Sequence, residues 1–135
     1  MKRKGTYVLA ITLGSDLDIK VGALGTLSFE KGLYCYFGSA LGGLDARVER
    51  HLRKEKVLKW HADYLTSNAY SVEAYISYPD YIEECDLARL AEKSGMVPSF
   101  KGFGCSDCKC VTHLFRTDSK QLKRFIDSHG LTPFH

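Results

Sequence analysis

At 135 residues, with 44% apolar and 26% charged side chains, the chain has the size and composition of one ordinary globular domain, which excludes disorder, collagen and coiled coil. No apolar run approaches the ~20 residues of a membrane span, and Met1-Lys-Arg-Lys-Gly5 followed only by Tyr7 to Leu13 reads as the approach to a strand and not as a signal peptide, so a cytoplasmic protein is expected. The net charge of +3 is weak evidence for a nucleic-acid partner taken alone, but between residues 47 and 59 Arg47, Arg50, Arg53, Lys54, Lys56 and Lys59 meet only Glu49 and Glu55.

Tyr7 to Leu13 is rich in β-forming residues and reads as a first strand, turned by Gly14-Ser15-Asp16. Val21 to Phe29 alternates enough for a second strand at an edge, and Lys31-Gly32 is a turn. Leu33-Tyr-Cys-Tyr-Phe37 is a third strand, followed by a glycine-rich loop from Gly38 to Gly43. A helix is predicted from about Leu44 to Lys54, and a shorter one from Trp60 to Ser67. Ser71 to Tyr78 alternates as another strand. Asp80 is placed to cap a helix, with Glu83 three residues on as in a capping box; that helix reaches Lys93 and stops before Gly95. Pro98 to Cys110 reads as a long loop and Thr112 to Arg116 as a short strand. Asp118 to His129 closes the chain as a helix that Gly130 ends. With no repeat and no linker, residues 1–135 form a single α+β domain: a small, mostly antiparallel sheet flanked by helices, with a C-terminal helix.

The loop-helix unit at residues 38–54 carries the most chemistry. With ~100° per residue, Leu44, Val48 and Leu52 form one apolar stripe. Arg47 and His51 lie a turn apart along its flank, at the border of core and solvent, and Arg50 points nearly opposite. Two interpretations stay open: a solvated basic face, or a set of active-site groups held at that border.

Gly5-Thr6-Tyr7 and Tyr36-Phe37-Gly38 resemble the two signature tripeptides of the GIY-YIG nuclease superfamily. Arg47 follows Gly38 at about the family's spacing for its arginine, and His51 matches a frequent His or Tyr. Glu84-Cys-Asp-Leu87-Ala88 resembles the metal-binding Glu followed by an apolar pair. The stretch from Tyr36 to Leu44, Trp60-His61-Ala62-Asp63-Tyr64, and Cys108-Lys-Cys110-Val-Thr-His113 resemble a small branch of that superfamily, whose members stand alone or are fused to an endonuclease III-like repair glycosylase. Residues 8–35 separate the two tyrosines, farther than in most of the superfamily, so the resemblance implies an inserted strand or hairpin.

The resemblance implies a GIY-YIG-like core and a metal-dependent endonuclease acting on nucleic acid, DNA first, in repair or processing, with a repair glycosylase as partner by analogy with the fusions. Tyr7 is then similar to the family's general base, Tyr36 to the tyrosine that supports water or phosphate, and Arg47 to the phosphate-binding arginine, with His51 beside them. Glu84 would hold Mg²⁺ or Mn²⁺, which takes a few oxygen ligands and waters. Arg50, Arg53, Lys54, Lys56 and Lys59 would bind the phosphate backbone. Gly38, Ser39, His61, Cys108, Cys110 and His113 would line the site.

The residues also carry other assignments. Tyr7 and Tyr36 have the composition of cross-strand core aromatics. Glu84 suits a helix's first turn, where the dipole favours a carboxylate, and Glu83 is the fallback metal ligand. His61 and Asp63 form either an acid–base or metal pair or an N-terminal turn with one satisfied polar contact. Cys105-x-x-Cys108-x-Cys110-x-x-His113 offers four soft ligands, for Zn²⁺ or as buried or redox-active thiols, and Cys35 reads as a core thiol. Two alternative functions follow: a nucleic-acid-binding module without turnover, and a zinc or thiol interaction domain built on Cys105 to His113.

Overall fold

The structure, a computed structural model, describes residues 5–40, 43–53, 61–77, 82–104 and 110–134. Its first strand, β1 (Gly5–Leu13), is apolar at nearly every position, because it is covered on both faces. Val8, Leu9 and Ile11 have no exposed surface, each worth ~1.5–3 kcal/mol of burial. β2 (Leu17–Lys20) and β3 (Thr26–Phe29) follow, then β4 (Gly32–Ala40), α1 (Leu44–Leu52), α2 (His61–Thr66) and β5 (Ser71–Ile76). The second half holds α3 (Glu84–Lys93), β6 (Val97–Pro98), β7 (Leu114–Thr117), α4 (Ser119–Ser128) and β8 (Thr132–Pro133). The main sheet runs β6-β7-β4-β1-β5-β8, and each pair in it is antiparallel. The fold is thus α+β, a mostly antiparallel sheet flanked by four helices, as expected. Among the described residues no helix is long and apolar enough to cross a membrane.

Strand alternation sorts the core into two halves. Tyr7, Leu9, Ile11, Tyr34 and Tyr36 share one face, packed with Leu44 and Val48 of α1, Leu65 of α2 and Phe103. Val8, Ala10, Cys35 and Phe37 share the other, packed with Leu87 and Ala91 of α3 and Phe125 of α4. Cys35 is a core thiol as expected, and burial pushes its pKa upward.

Three predicted elements differ. The single strand predicted at Val21 to Phe29 is strand only from Thr26, as the second arm of a hairpin: β2 pairs with β3 in a sheet of its own, and a short 3₁₀ turn at Gly22–Leu24 lies between. Gly22 and Gly25, at φ of 47° and 79°, take the backbone through conformations that other residues resist. α3 begins later than predicted, at Glu84, with Glu83 in the cap position and no side-chain cap bond; Asp80, the predicted cap, lies outside the described residues. By contrast, Asp118 caps α4 by accepting from the Gln121 N–H at 2.8 Å.

The third difference bears on the site. The glycine-rich loop is strand as far as Ala40, because Gly5 to Tyr7 pair with Gly38 to Ala40. Gly38 lies across from Tyr7, and a Cβ there would stand 2.3 Å from the Tyr7 hydroxyl oxygen. Space for a ring, not a turn, demands this glycine. Gly38→Ala should therefore displace Tyr7 and cost ~1–3 kcal/mol, as overpacking does. Urea unfolding of the variant checks it, and an unchanged midpoint would show that the two groups do not meet.

Candidate active site

β4 outruns its partner β7. Residues 33–36 pair on both sides, whereas among the described residues Gly38 to Ala40 pair with β1 alone. Around this open end, groups from both faces of the sheet come together. Tyr7 reaches it from one face, and α1 stands over it. α3 begins beside it on the other face, so its first turn carries Glu84 to Ser39.

α1 is tied down by Leu44 and Val48, both fully buried. The stripe closes on His51 and not, as the helical wheel suggests, on Leu52, which is 38% exposed. His51 is buried because it has a polar partner inside: its Nε2 lies 2.8 Å from the Tyr7 hydroxyl. Asp63 Oδ1 is 3.6 Å from the other ring nitrogen. Arg47, half-buried, donates to the Ser39 carbonyl at 3.1 Å. Ser39 Oγ donates to Glu84 Oε1 at 3.3 Å, and Glu84 Oε2 lies 3.6 Å from His113 Nδ1. One continuous polar array therefore runs from Asp63 through His51 to Tyr7, and from Arg47 through Ser39 to Glu84 and His113.

The electrostatics centre on Tyr7. Burial raises its pKa far above the ordinary tyrosine value. A hydrogen bond and the positive charge of Arg47 pull it down, while Glu84 and Asp63 push it up by smaller amounts. A tyrosinate here is unfavourable in isolation; a hydroxyl that gains a proton on one side as it yields one to His51 is not. Glu84 presents a carboxylate with 28% of its side chain exposed. One partly exposed carboxylate with room for waters suits a hard divalent cation.

Asp63, weighed as a partner for His61, is engaged with Arg50 and His51. It is fully buried and accepts two parallel hydrogen bonds from Arg50, at 2.8 and 3.0 Å. Arg50, expected on a solvated face as a phosphate ligand, is instead drawn inward by this forked pair between α1 and α2. Asp63→Ala should cost about 3 kcal/mol, the low end for breaking a buried pair, since Arg50 keeps 20% of its side chain in water. Chemical denaturation measures this, and a loss under ~1 kcal/mol would mean that the pair holds the helices together only weakly.

His61 accepts from the Gly104 N–H at 2.9 Å through Nδ1, and burial lowers its pKa. Its ring packs on Phe103, which also packs edge-on against Tyr36. Gly104 lies so close to the Tyr36 ring that a Cβ would stand 2.7 Å from it. Tyr36 shares a sheet face with Tyr7 and is 7% exposed, in a wall of aromatic side chains beside the polar array. Of the predicted phosphate ligands, Arg53 is exposed at the end of α1, whereas Lys54, Lys56 and Lys59 lie outside the described residues, as does Cys108. Cys110 and His113 are placed, and with them Cys85 of α3, which sequence reasoning missed. Cys85 adjoins Glu84 in sequence but has no motif spacing to Cys110, so only the fold reveals it.

A separate cavity of about 840 Å³ lies on the other face of the sheet, lined by apolar groups such as Ala10, Leu33, Tyr75, Leu122 and Ile126. Tyr7, Arg47, His51, Asp63 and Glu84 are not among its lining residues. In comparison with known proteins, one family model, a domain of unknown function, DUF123, matches residues 6–131. No curated protein matches the chain, and no solved structure does.

Proposed function

This chain belongs to the DUF123 family, a domain of unknown function, and from its site geometry we propose that it is a metal-dependent endonuclease of the GIY-YIG kind, a cytoplasmic protein that cuts DNA in repair or processing. What carries this reading is one observation: Tyr7, Arg47, His51 and Glu84, drawn from three elements, act on one another at the open end of β4. Phosphodiester hydrolysis needs those parts. An attacking water must lose a proton, and charge on the phosphoryl oxygens must be neutralised.

In this scheme the Tyr7 oxygen accepts the water's proton as its own passes to His51 Nε2, 2.8 Å away. The charge that builds on His51 faces Asp63. Arg47 supplies a fixed guanidinium to a phosphoryl oxygen and eases proton loss from Tyr7. Glu84 would hold Mg²⁺ or Mn²⁺, which when bound supplies Lewis-acid charge to the phosphate. Arg53, with Lys54, Lys56 and Lys59, would track the backbone of the substrate.

The test is conversion of supercoiled plasmid to open circle with Mg²⁺ or Mn²⁺, with EDTA as control. The wild-type protein should nick, and Glu84→Gln should remove most nicking, with partial rescue by excess metal. Binding that weakens strongly between low and moderate salt should accompany it. Binding without nicking on plain, branched and damaged duplexes alike would replace this proposal with a nucleic-acid-binding module.

A further inference from the structure

Cys85, Cys110 and His113 serve no part of that scheme, yet they converge. Cys85 lies in the first turn of α3, and Cys110 and His113 lie on the chain entering β7. Their ligand atoms, two Sγ and one imidazole nitrogen, all fall within 4.8 Å of one another. We propose that these three side chains form a binding site for a soft divalent metal, zinc, that staples the segment entering β7 to the first turn of α3. This does not depend on the nuclease proposal.

Distance supports it first. Zinc holds sulfur at ~2.3 Å and imidazole nitrogen at ~2.0–2.1 Å, so tetrahedral geometry puts a sulfur and a nitrogen ligand roughly 3.5 Å apart. Cys85 Sγ lies 3.7 Å from His113 Nε2. Only small movements are needed to bring this pair onto one ion.

Chemistry supports it next. Two thiols and an imidazole are a soft set that selects zinc over Mg²⁺ or Ca²⁺. Zinc displaces the thiol protons of Cys85 and Cys110, which pass to solvent, and binds His113 as the neutral ring.

The outer shell supports it as well. A metal-bound histidine commonly turns its second ring nitrogen to a carboxylate. His113 has Nε2 toward Cys85 and Nδ1 3.6 Å from Glu84 Oε2. His113 is also anchored through its backbone, accepting from the Phe37 N–H at 3.0 Å and donating to the Phe103 carbonyl at 2.9 Å. A ligand so fixed is pre-positioned. Three protein ligands leave one tetrahedral position for water or another donor.

The experiment uses the reduced, metal-free full-length protein, titrated with Co²⁺ and then with Zn²⁺. One Co²⁺ per chain should give intense thiolate-to-cobalt charge-transfer absorption and tetrahedral ligand-field bands, and one equivalent of zinc should abolish them. Cys85→Ser and Cys110→Ser should each remove one thiolate's share of the charge-transfer band. Each should also weaken zinc binding by more than the ~10–100-fold that loss of an outer-shell partner costs. Glu84→Gln should fall within that 10–100-fold range while keeping the cobalt spectrum. Circular dichroism checks that each variant is folded, and the loss of band in Cys85→Ser separates this site from one built on Cys105 to His113. A wild-type protein with no charge-transfer band, or with zinc affinity unchanged in Cys85→Ser and Cys110→Ser, overturns the proposal.

Discussion

Arg47→Ala is expected to slow plasmid nicking by ~10²–10³, the usual cost of one fixed electrostatic donor, while leaving the protein folded. The side chain does two jobs at once. Its guanidinium, anchored on the Ser39 carbonyl, stands half-buried where water screens it poorly. It also offsets the burial that makes Tyr7 hold its proton. The fold should survive, because α1 is seated by Leu44 and Val48 and not by Arg47. Arg47→Lys should recover little activity, since an ammonium lacks the planar fork that keeps one bond to Ser39 while presenting another to phosphate. Nicking rate, urea midpoint and far-ultraviolet circular dichroism, measured together, separate lost chemistry from lost structure. Wild-type nicking by Arg47→Ala would remove the open end of β4 from consideration.

Tyr7→Phe should cost ~10²–10⁴ in rate, the range for a positioned proton-transfer group. The ring is 3% exposed and packed in the core, so phenylalanine keeps its shape and only the hydroxyl goes. The stability change should be about 1–3 kcal/mol, the net worth of the hydroxyl's hydrogen bonds to His51 and Arg47. His51→Ala should slow nicking in the same direction, and the double variant should be little worse than either single one, because the two groups pass one proton. Additive losses would mean that Tyr7 and His51 act separately. Nicking at the wild-type rate by Tyr7→Phe would leave the tyrosine as a core aromatic and no more.

Much of this was legible along the chain. The strand at Tyr7 to Leu13 and the helix ending before Gly130 follow from local signals that the fold leaves intact: composition in one, a glycine stop in the other. Arg47 sits beside the buried stripe of α1 because 3.6 residues per turn put it there. That Tyr7 and Tyr36 share a face of adjacent strands follows from alternation once β1 and β4 pair.

Elsewhere long-range contacts overrode the local pattern. Gly38 to Ala40 have the composition of a loop, and become strand because Gly5 to Tyr7 offer them a partner. The wheel places Arg50 outward, yet the buried carboxylate of Asp63, thirteen positions on and in another helix, pulls it in. Leu52 is as apolar as Leu44, but His51 takes the buried place, since Tyr7 gives its nitrogen a partner that solvent would otherwise supply.

The sequence by itself determined an α+β domain, the basic character of residues 47–59, and which residue types are available for proton transfer, phosphate binding and metal ligation. Those depend on composition and on periods of two and 3.6 residues, which need no partner to be read. Only the tertiary structure decided which of them meet. Asp63 stands behind His51, Glu84 beside Ser39, and Cys85 with Cys110 and His113 because the β1–β4 register and the seating of α1, α2 and α3 set those distances. Such distances arise from packing between segments far apart in the chain, and no local spacing encodes them.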